Sequence, residues 1–161
     1  MKKKVSILGS TGSVGTQALE IISKFEEEFE IISLTGGLNE ELLEEQINIF
    51  KPQFYFSLSE KIYSHGKRLS SLEEILKYDE SDLIIIAISG ISGIIPTVNA
   101  TTQGRNIALA NKESLVSAAD LIMDIAKSSG SEIIPLDSEH SAILQCMEGG
   151  VSKSSIVKFI I

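Results

Sequence analysis

Val5-Ser6-Ile7-Leu8-Gly9-Ser10-Thr11-Gly12-Ser13-Val14-Gly15 decides the fold of this chain. A short apolar run feeds a glycine-rich turn, and the turn opens a helical pattern from Thr16 to Phe25. The first backbone N–H groups of a helix have no partner inside it, and the helix dipole favours an anion there. Glycines let the turn be tight and let the backbone approach a phosphate closely. The stretch therefore reads as a nucleotide pyrophosphate site at the carboxyl edge of a parallel sheet. Its spacing is Gly-x-x-Gly-x-x-Gly rather than Gly-x-Gly-x-x-Gly, so the strand-then-helix context carries as much of the reading as the glycines do.

Working outward, strands and helices alternate. Lys4–Leu8, Glu30–Leu34, Phe54–Ser57, Leu83–Ile88, Asn106–Leu109 and Glu132–Pro135 read as strands. Leu83–Ile88 is wholly apolar, as a strand buried on both faces should be. Helices are expected at Glu40–Phe50, in two pieces between Glu60 and Leu76 with Ser70 or Ser71 capping the second, at Ile94–Gln103, from about Leu115 to Gly130, and from about Glu139 to Met147. The alternation predicts an α/β fold: a Rossmann-like, doubly wound, mostly parallel sheet with helices on both faces. Residues 1–150 form that domain in this reading. A further strand-like run, Ile156–Ile161, suggests that residues 151–161 begin another domain.

Composition narrows the function. The 161 residues carry a formal net charge of −8, which speaks against nucleic acid and anionic membrane as partners. Eight of the 22 acidic residues cluster as Glu26, Glu27, Glu28, Glu30 and Glu40, Glu41, Glu44, Glu45, where solvated helix faces are the ordinary explanation. The one cysteine, Cys146, excludes an intramolecular disulfide and suits a reducing compartment; its neighbours Ile143, Leu144 and Met147 suggest a buried helix position. No run of 18 apolar residues exists, and the expectation is a cytoplasmic protein.

Three further segments carry chemistry. About 20 positions after the glycine turn, NAD sites place a carboxylate on the ribose 2′-OH. Thr35-Gly36-Gly37-Leu38-Asn39 has none there, which leans toward NADP, yet no lysine or arginine is there either. Ala110-Asn111-Lys112-Glu113-Ser114 lies between a strand end and a helix start, where ligands of open α/β sheets gather. Lys112 reads as a point charge for a carbonyl or phosphate oxygen, or as a solvated loop residue. In Pro135-Leu136-Asp137-Ser138-Glu139-His140, extended backbone would aim Asp137 and Glu139 to the same side, toward one hard divalent cation. The same residues also read as a helix cap, with Asp137 or Ser138 at the N-cap and Glu139 complementing the dipole. His65 and His140 read as ordinary surface or packing residues.

Together, Gly9–Gly15, Ala110-Asn111-Lys112-Glu113-Ser114-Leu115-Val116 and Pro135-Leu136-Asp137-Ser138-Glu139-His140-Ser141-Ala142-Ile143 resemble the 1-deoxy-D-xylulose 5-phosphate reductoisomerase family, in order and along the whole chain. The resemblance implies a cytoplasmic enzyme of non-mevalonate isoprenoid biosynthesis. It would isomerise its sugar phosphate and reduce it with NADPH to 2-C-methyl-D-erythritol 4-phosphate, using Mg²⁺ or Mn²⁺. By position, Thr11, Gly12, Ser13 and Val14 would hold the cofactor phosphates, and Gly37 and Asn39 would flank the adenosine ribose. Asn111 and Glu113 would contact the cofactor, and Lys112 both cofactor and substrate. Asp137 and Glu139 would bind the metal, and Ser138 and Glu139 would touch the substrate. Lys112, Asp137 and Glu139 would be the catalytic residues. Family members often carry a basic residue where this chain has Leu38. The family chain is also more than twice as long, its catalytic domain supplying a third metal carboxylate and the substrate-phosphate grip, and the resemblance implies a homodimer for the whole protein. The chain is thus expected to be the N-terminal NADPH-binding domain, inactive alone. Without the resemblance, the residues also allow a metal-free NADP-linked dehydrogenase or a nucleotide-sensing module that is not an enzyme.

Overall fold

The computed structural model describes residues 1–148. The expected strand at 156–161, and the assignment of 151–161 to another domain, lie outside the described residues. Among the described residues seven strands form one sheet: β1 (Lys3–Leu8), β2 (Phe29–Gly36), β3 (Phe54–Ser57), β4 (Lys67–Arg68), β5 (Leu83–Ile86), β6 (Ile107–Leu109) and β7 (Ile133–Pro135). Their order is β4-β3-β2-β1-β5-β6-β7, and every pair is parallel. Six helices connect and follow them: α1 (Ser13–Lys24), α2 (Glu40–Phe50), α3 (Leu72–Tyr78), α4 (Ile94–Thr102), α5 (Lys112–Ser129, broken at Ala118) and α6 (Ser138–Glu148). The chain winds outward from β1 to β4, then crosses back to β5 on the other side of β1. The reversal at β1/β5 is the topological switch point, where the loops part and leave a crevice at the carboxyl edge.

Alternation along the strands divides the core in two. Val5, Ile7, Leu34 and Ile85 pack with Leu19 and Ile22 of α1 and Leu43 and Ile47 of α2. Leu8, Ile84, Ile86, Ile107 and Leu109 pack on the opposite face with Ile75 and Leu76 of α3 and Ala100 of α4. Each fully buried aliphatic side chain stabilises the fold by about 1.5–3 kcal/mol relative to exposure. This two-sided burial explains why the central strands read as unbroken apolar runs.

Beneath the sheet, at its amino edge, Asp79 is buried and saturated. Its Oδ2 accepts from Ser33 Oγ at 2.6 Å, and its Oδ1 accepts from the Ser81 amide at 2.7 Å and from Arg105 Nη2 at 3.1 Å. Arg105 Nη1 also donates to the Asp79 carbonyl. This knot joins β2, the end of α3 and the residues that lead into β5 and β6.

Two expectations fail. Residues 60–66 are not helical; only the second expected piece exists, as α3, with Ser71 Oγ accepting from the Glu74 amide at 3.1 Å. A tertiary contact replaces the helix: Tyr63 is buried with its ring 5.1 Å from that of Tyr55, and its amide donates to the Tyr55 hydroxyl at 3.0 Å. Cys146 is exposed, not buried, because α6 sits at the rim of the sheet against β7. Smaller differences concern ends: β5 stops at Ile86, and Ser89–Gly93 forms an extra 3-10 turn, Gly90–Gly93, that leads into α4.

Candidate functional site

The glycine turn has a specific geometry. Gly9 has φ +92°, and a Cβ there would lie 2.7 Å from the carbonyl oxygen of Ala87 at the end of β5. A Cβ on Gly15 would lie 2.4 Å from the Gly9 oxygen. Only glycine fits either place, so the turn closes directly onto β5 and α1 starts against the turn. Thr35, near the end of β2, fixes the loop from the other side: its Oγ1 accepts from the Gly9 amide at 2.9 Å and its carbonyl from the Ser10 amide at 2.8 Å. Ser10 Oγ donates to Gln46 Oε1 at 2.7 Å, and Gln46 Nε2 returns a bond to the Ser10 carbonyl at 3.0 Å. This buried reciprocal pair pins the loop to α2.

Helices α2, α3 and α5 each begin on a side-chain cap, from Asn39, Ser71 and Asn111. Helix α1 begins on Gly12, with no side-chain cap and no acidic residue in its first turn. Its first amides are left to a ligand, and nothing local competes with an anion for them. Gly12, at the start of that helix, lines a cleft of about 360 Å³ with Gly9, Gly36, Gly37, Ile88 and Ser92, among others. Gly37 is open to this cleft, with no atom within 4 Å of where its Cβ would stand. Asn39 is spent on α2, its Oδ1 accepting from the Leu42 amide at 3.2 Å.

Asn111 is 2% exposed and works inside the fold. Its Nδ2 donates to the carbonyls of Ile88 at 2.7 Å and Gly90 at 2.8 Å, while its Oδ1 accepts from the Ser114 amide at 2.8 Å and from the Ser114 hydroxyl. It therefore latches the segment after β5 to the start of α5. A Cβ on Gly93 would collide with the Asn111 amide at 2.6 Å, so the latch also needs that glycine. Glu113 Oε1 accepts from the Gly90 amide at 3.3 Å and completes the junction.

From this junction the edge continues to the third motif. Lys112 Nζ stands 3.8 Å from Asp137 Oδ2; the lysine side chain is well exposed and the aspartate largely covered. Asp137 occupies the N-cap position of α6, its carbonyl accepting from the Ser141 amide at 2.8 Å. Helix α6 begins at Ser138, so Glu139 lies in its first turn rather than on extended backbone. The expected reason for convergence is therefore replaced: the turn into the helix, not strand geometry, holds Glu139 beside Asp137. Ser138 Oγ donates to Glu139 Oε2 at 2.7 Å. That hydroxyl first, then the Glu139 amide and the neighbouring Asp137, hold the Glu139 carboxyl down at about 2, with Lys112 adding to the effect. Two oxygen-donor carboxylates suit a hard divalent ion, leaving most of an octahedron to water and substrate oxygens. Among the described residues no group of three His, Cys, Asp or Glu converges.

The structure thus lines up the sequence motifs along one carboxyl edge, joined by contacts from Gly9–Ala87 through Gly90–Glu113 to Lys112–Asp137. Sequence reading missed Ser89 and Ser92 on the cleft wall and the Gly93 contact. The visible signal was Ser89-Gly90-Ile91-Ser92-Gly93, a glycine-bracketed stretch directly after the most apolar strand.

Residues 5–119 match the family model described as 1-deoxy-D-xylulose 5-phosphate reductoisomerase. A protein of that name from Thermoanaerobacter sp. (strain X514) is 48% identical over 162 residues, covering 94% of this chain and 42% of that protein. One from Nostoc sp. (strain PCC 7120 / SAG 25.82 / UTEX 2576) is 35% identical, covering 100% of this chain and 44% of that protein. A crystal structure of DOX-P reductoisomerase in complex with NADPH, fosmidomycin and magnesium is 36% identical with a TM-score of 0.83, covering 89% of this chain and 38% of that one. The Zymomonas mobilis 1-deoxy-D-xylulose 5-phosphate reductoisomerase in complex with NADPH is 30% identical with a TM-score of 0.83, covering 91% of this chain and 41% of that one. The chain spans about two fifths of the length of the curated relatives it matches. A chain with this edge, this order of strands and these relatives belongs to the 1-deoxy-D-xylulose 5-phosphate reductoisomerase family.

Proposed function

We propose that this chain is the NADPH-binding part of an enzyme that converts 1-deoxy-D-xylulose 5-phosphate to 2-C-methyl-D-erythritol 4-phosphate with a divalent cation, Mg²⁺ or Mn²⁺. The observation that carries this is the uncapped start of α1 beside a glycine-lined cleft, at the same carboxyl edge of the sheet as the Lys112–Asp137–Glu139 cluster. Relatives solved with NADPH and magnesium support it.

In this reading the amides of Thr11–Val14 hold the cofactor diphosphate, as an uncapped helix start without local acid is fitted to do. Gly37 leaves room for the adenosine ribose, and Asn39 shapes that end by fixing the start of α2. Asn111 and Glu113 hold the Ser89–Gly93 segment as the wall beside the cofactor. NADPH supplies a hydride, and the divalent ion polarises the substrate's oxygens. Asp137 and Glu139 would hold that ion. Ser138 orients Glu139, and Lys112 places positive charge where substrate oxygens gain negative charge.

Among the described residues no helix is long and apolar enough to cross a membrane, and we place the whole protein in the bacterial cytoplasm as a homodimer acting on this small sugar phosphate. Titrating the 161-residue chain into NADPH and following nicotinamide fluorescence tests the reading: saturable binding is expected, and a flat titration to millimolar protein refutes it. Calorimetry with Mg²⁺ alone should give only millimolar affinity, because two carboxylates leave the coordination shell unfilled. Micromolar affinity would contradict the two-ligand site.

A further inference from the structure

Helix α2 carries a polar side chain on its buried face. Gln46 stands beside Ile47 and one turn from Leu43, both fully buried, and is itself 5% exposed. A buried amide costs stability unless it is hydrogen-bonded, and an aliphatic residue would pack there without that demand. Both ends of the Gln46 amide go to one residue of the glycine turn, the fully buried Ser10. Its Oε1 accepts from the Ser10 hydroxyl at 2.7 Å, and its Nε2 donates to the Ser10 carbonyl at 3.0 Å. A carbonyl can only accept, so the amide has one orientation here.

The bond to the Ser10 carbonyl acts on the next peptide unit. In a trans peptide the C=O and N–H point in opposite directions, and no described peptide bond is cis. Holding the Ser10 carbonyl toward α2 therefore turns the Thr11 amide away from α2. The other amides ahead of α1 are engaged: those of Gly9 and Ser10 donate to Thr35, and that of Gly12 donates to the Gly9 carbonyl at 3.2 Å. The Thr11 amide has no acceptor among the described residues. Thr11 also lies beside the cleft, since a Cβ on Gly36, a cleft residue, would stand 3.2 Å from Thr11 Cγ2.

We propose that Gln46 is a positioning residue for cofactor binding: it sets the Ser10–Thr11 peptide so that the Thr11 amide is presented to the dinucleotide's diphosphate. This rests on the nucleotide reading of the cleft. Gln46 touches no nucleotide and acts through Ser10. A donor already aimed at an anion needs no reorganisation when the anion arrives, whereas a peptide free to rotate must be ordered first. The same helix begins on Asn39, about two turns earlier, so α2 steadies both the diphosphate loop and the segment after Gly37.

Amide NMR spectra and NADPH fluorescence titrations of the chain test the proposal. In the unmodified chain the Thr11 amide resonance should move strongly on saturation with NADPH. Gln46→Met keeps the length of the side chain and removes both bonds. It should raise the NADPH dissociation constant of the folded protein about tenfold, the worth of one hydrogen bond to a charged group, and should abolish the Thr11 shift. Ser10→Ala keeps the bond from Nε2 to the carbonyl and should stay within about threefold of the parent. Urea unfolding of each variant separates a loss of stability, which a merely structural role would give, from a loss of affinity in the folded state. A Thr11 amide that NADPH leaves unmoved in the unmodified chain overturns the proposal without needing any variant to fold. So does a Gln46→Met variant that binds within about twofold of the parent, or a Ser10→Ala variant that loses as much as Gln46→Met. Each of these leaves the nucleotide site standing. Failure of the unmodified chain to bind NADPH overturns both this proposal and the reading beneath it.

Discussion

Replacing Arg105 with Met should destabilise the chain strongly without touching the nucleotide cleft. The Asp79 side chain has no solvent exposure, and that of Arg105 has 18%. Met keeps part of the aliphatic stem and removes the guanidinium, so Asp79 keeps only Ser33 Oγ and the Ser81 amide. Removing one partner of a buried pair costs about 3–5 kcal/mol, since the other charge is left uncompensated. Partial access of water on the arginine side argues for the low end, about 3 kcal/mol. For a chain of this size that amounts to a fall in Tm of about 6–12 °C. Urea unfolding followed by circular dichroism measures the loss, and the slope of the transition should stay constant. Adding Asp79→Asn to Arg105→Met should recover part of the stability, because the stranded charge is gone. A loss under about 1 kcal/mol, or a double variant no better than the single one, would refute the claim that charge compensation holds this knot together.

Gly15→Ala should abolish NADPH binding, because the new methyl would stand 2.4 Å from the Gly9 oxygen and force the loop away from α1; unchanged affinity in the fluorescence titration would count against the loop geometry. Asn111→Ala should lower stability by about 2–3 kcal/mol in urea, through a lost cap and unpaired carbonyls, and should weaken NADPH binding as the Ser89–Gly93 wall loosens. Glu74 bonds to the Ser70 hydroxyl and amide, which lower its pKa below 4.5 in the folded chain. A lowered folded value means stability that is complete above the unfolded pKa and lost as pH falls through the folded one. Glu74→Gln should therefore flatten the decline of Tm below about pH 4.5, which thermal melts across acid pH would detect.

Local sterics made the opening motif legible: glycine at positions 9 and 15 is required by contacts within a few residues and one strand away, so the pattern survives in the sequence. Two-sided burial likewise wrote itself into Leu83–Ile86. The segment 60–66 was illegible because Tyr63 owes its position to Tyr55, a partner whose relevance no local period announces. Strand β4 is two charged residues paired to β3 and carries no apolar signal. Cys146 misled because its apolar neighbours suggest burial, while α6 packs against the sheet's last strand and leaves Cys146 exposed. At the site, the positions of Lys112, Asp137 and Glu139 were readable as types and spacing. The role of Asn111 was not, since the carbonyls it holds, on Ile88 and Gly90, come from a different crossover.

The cleft is built from pieces contributed after β1, β2 and β5, separated by long stretches of chain and meeting only when the sheet is complete. A bound dinucleotide consequently acts as a brace: it grips the finished arrangement and has no counterpart in the unfolded polymer, so its affinity is converted into resistance to unfolding. At a hundredfold excess over Kd that gain is about 2.7 kcal/mol, close to the whole deficit expected from losing Arg105. A cell rich in reduced nicotinamide nucleotide would thus shelter damaged copies of this chain that a nucleotide-poor one would degrade.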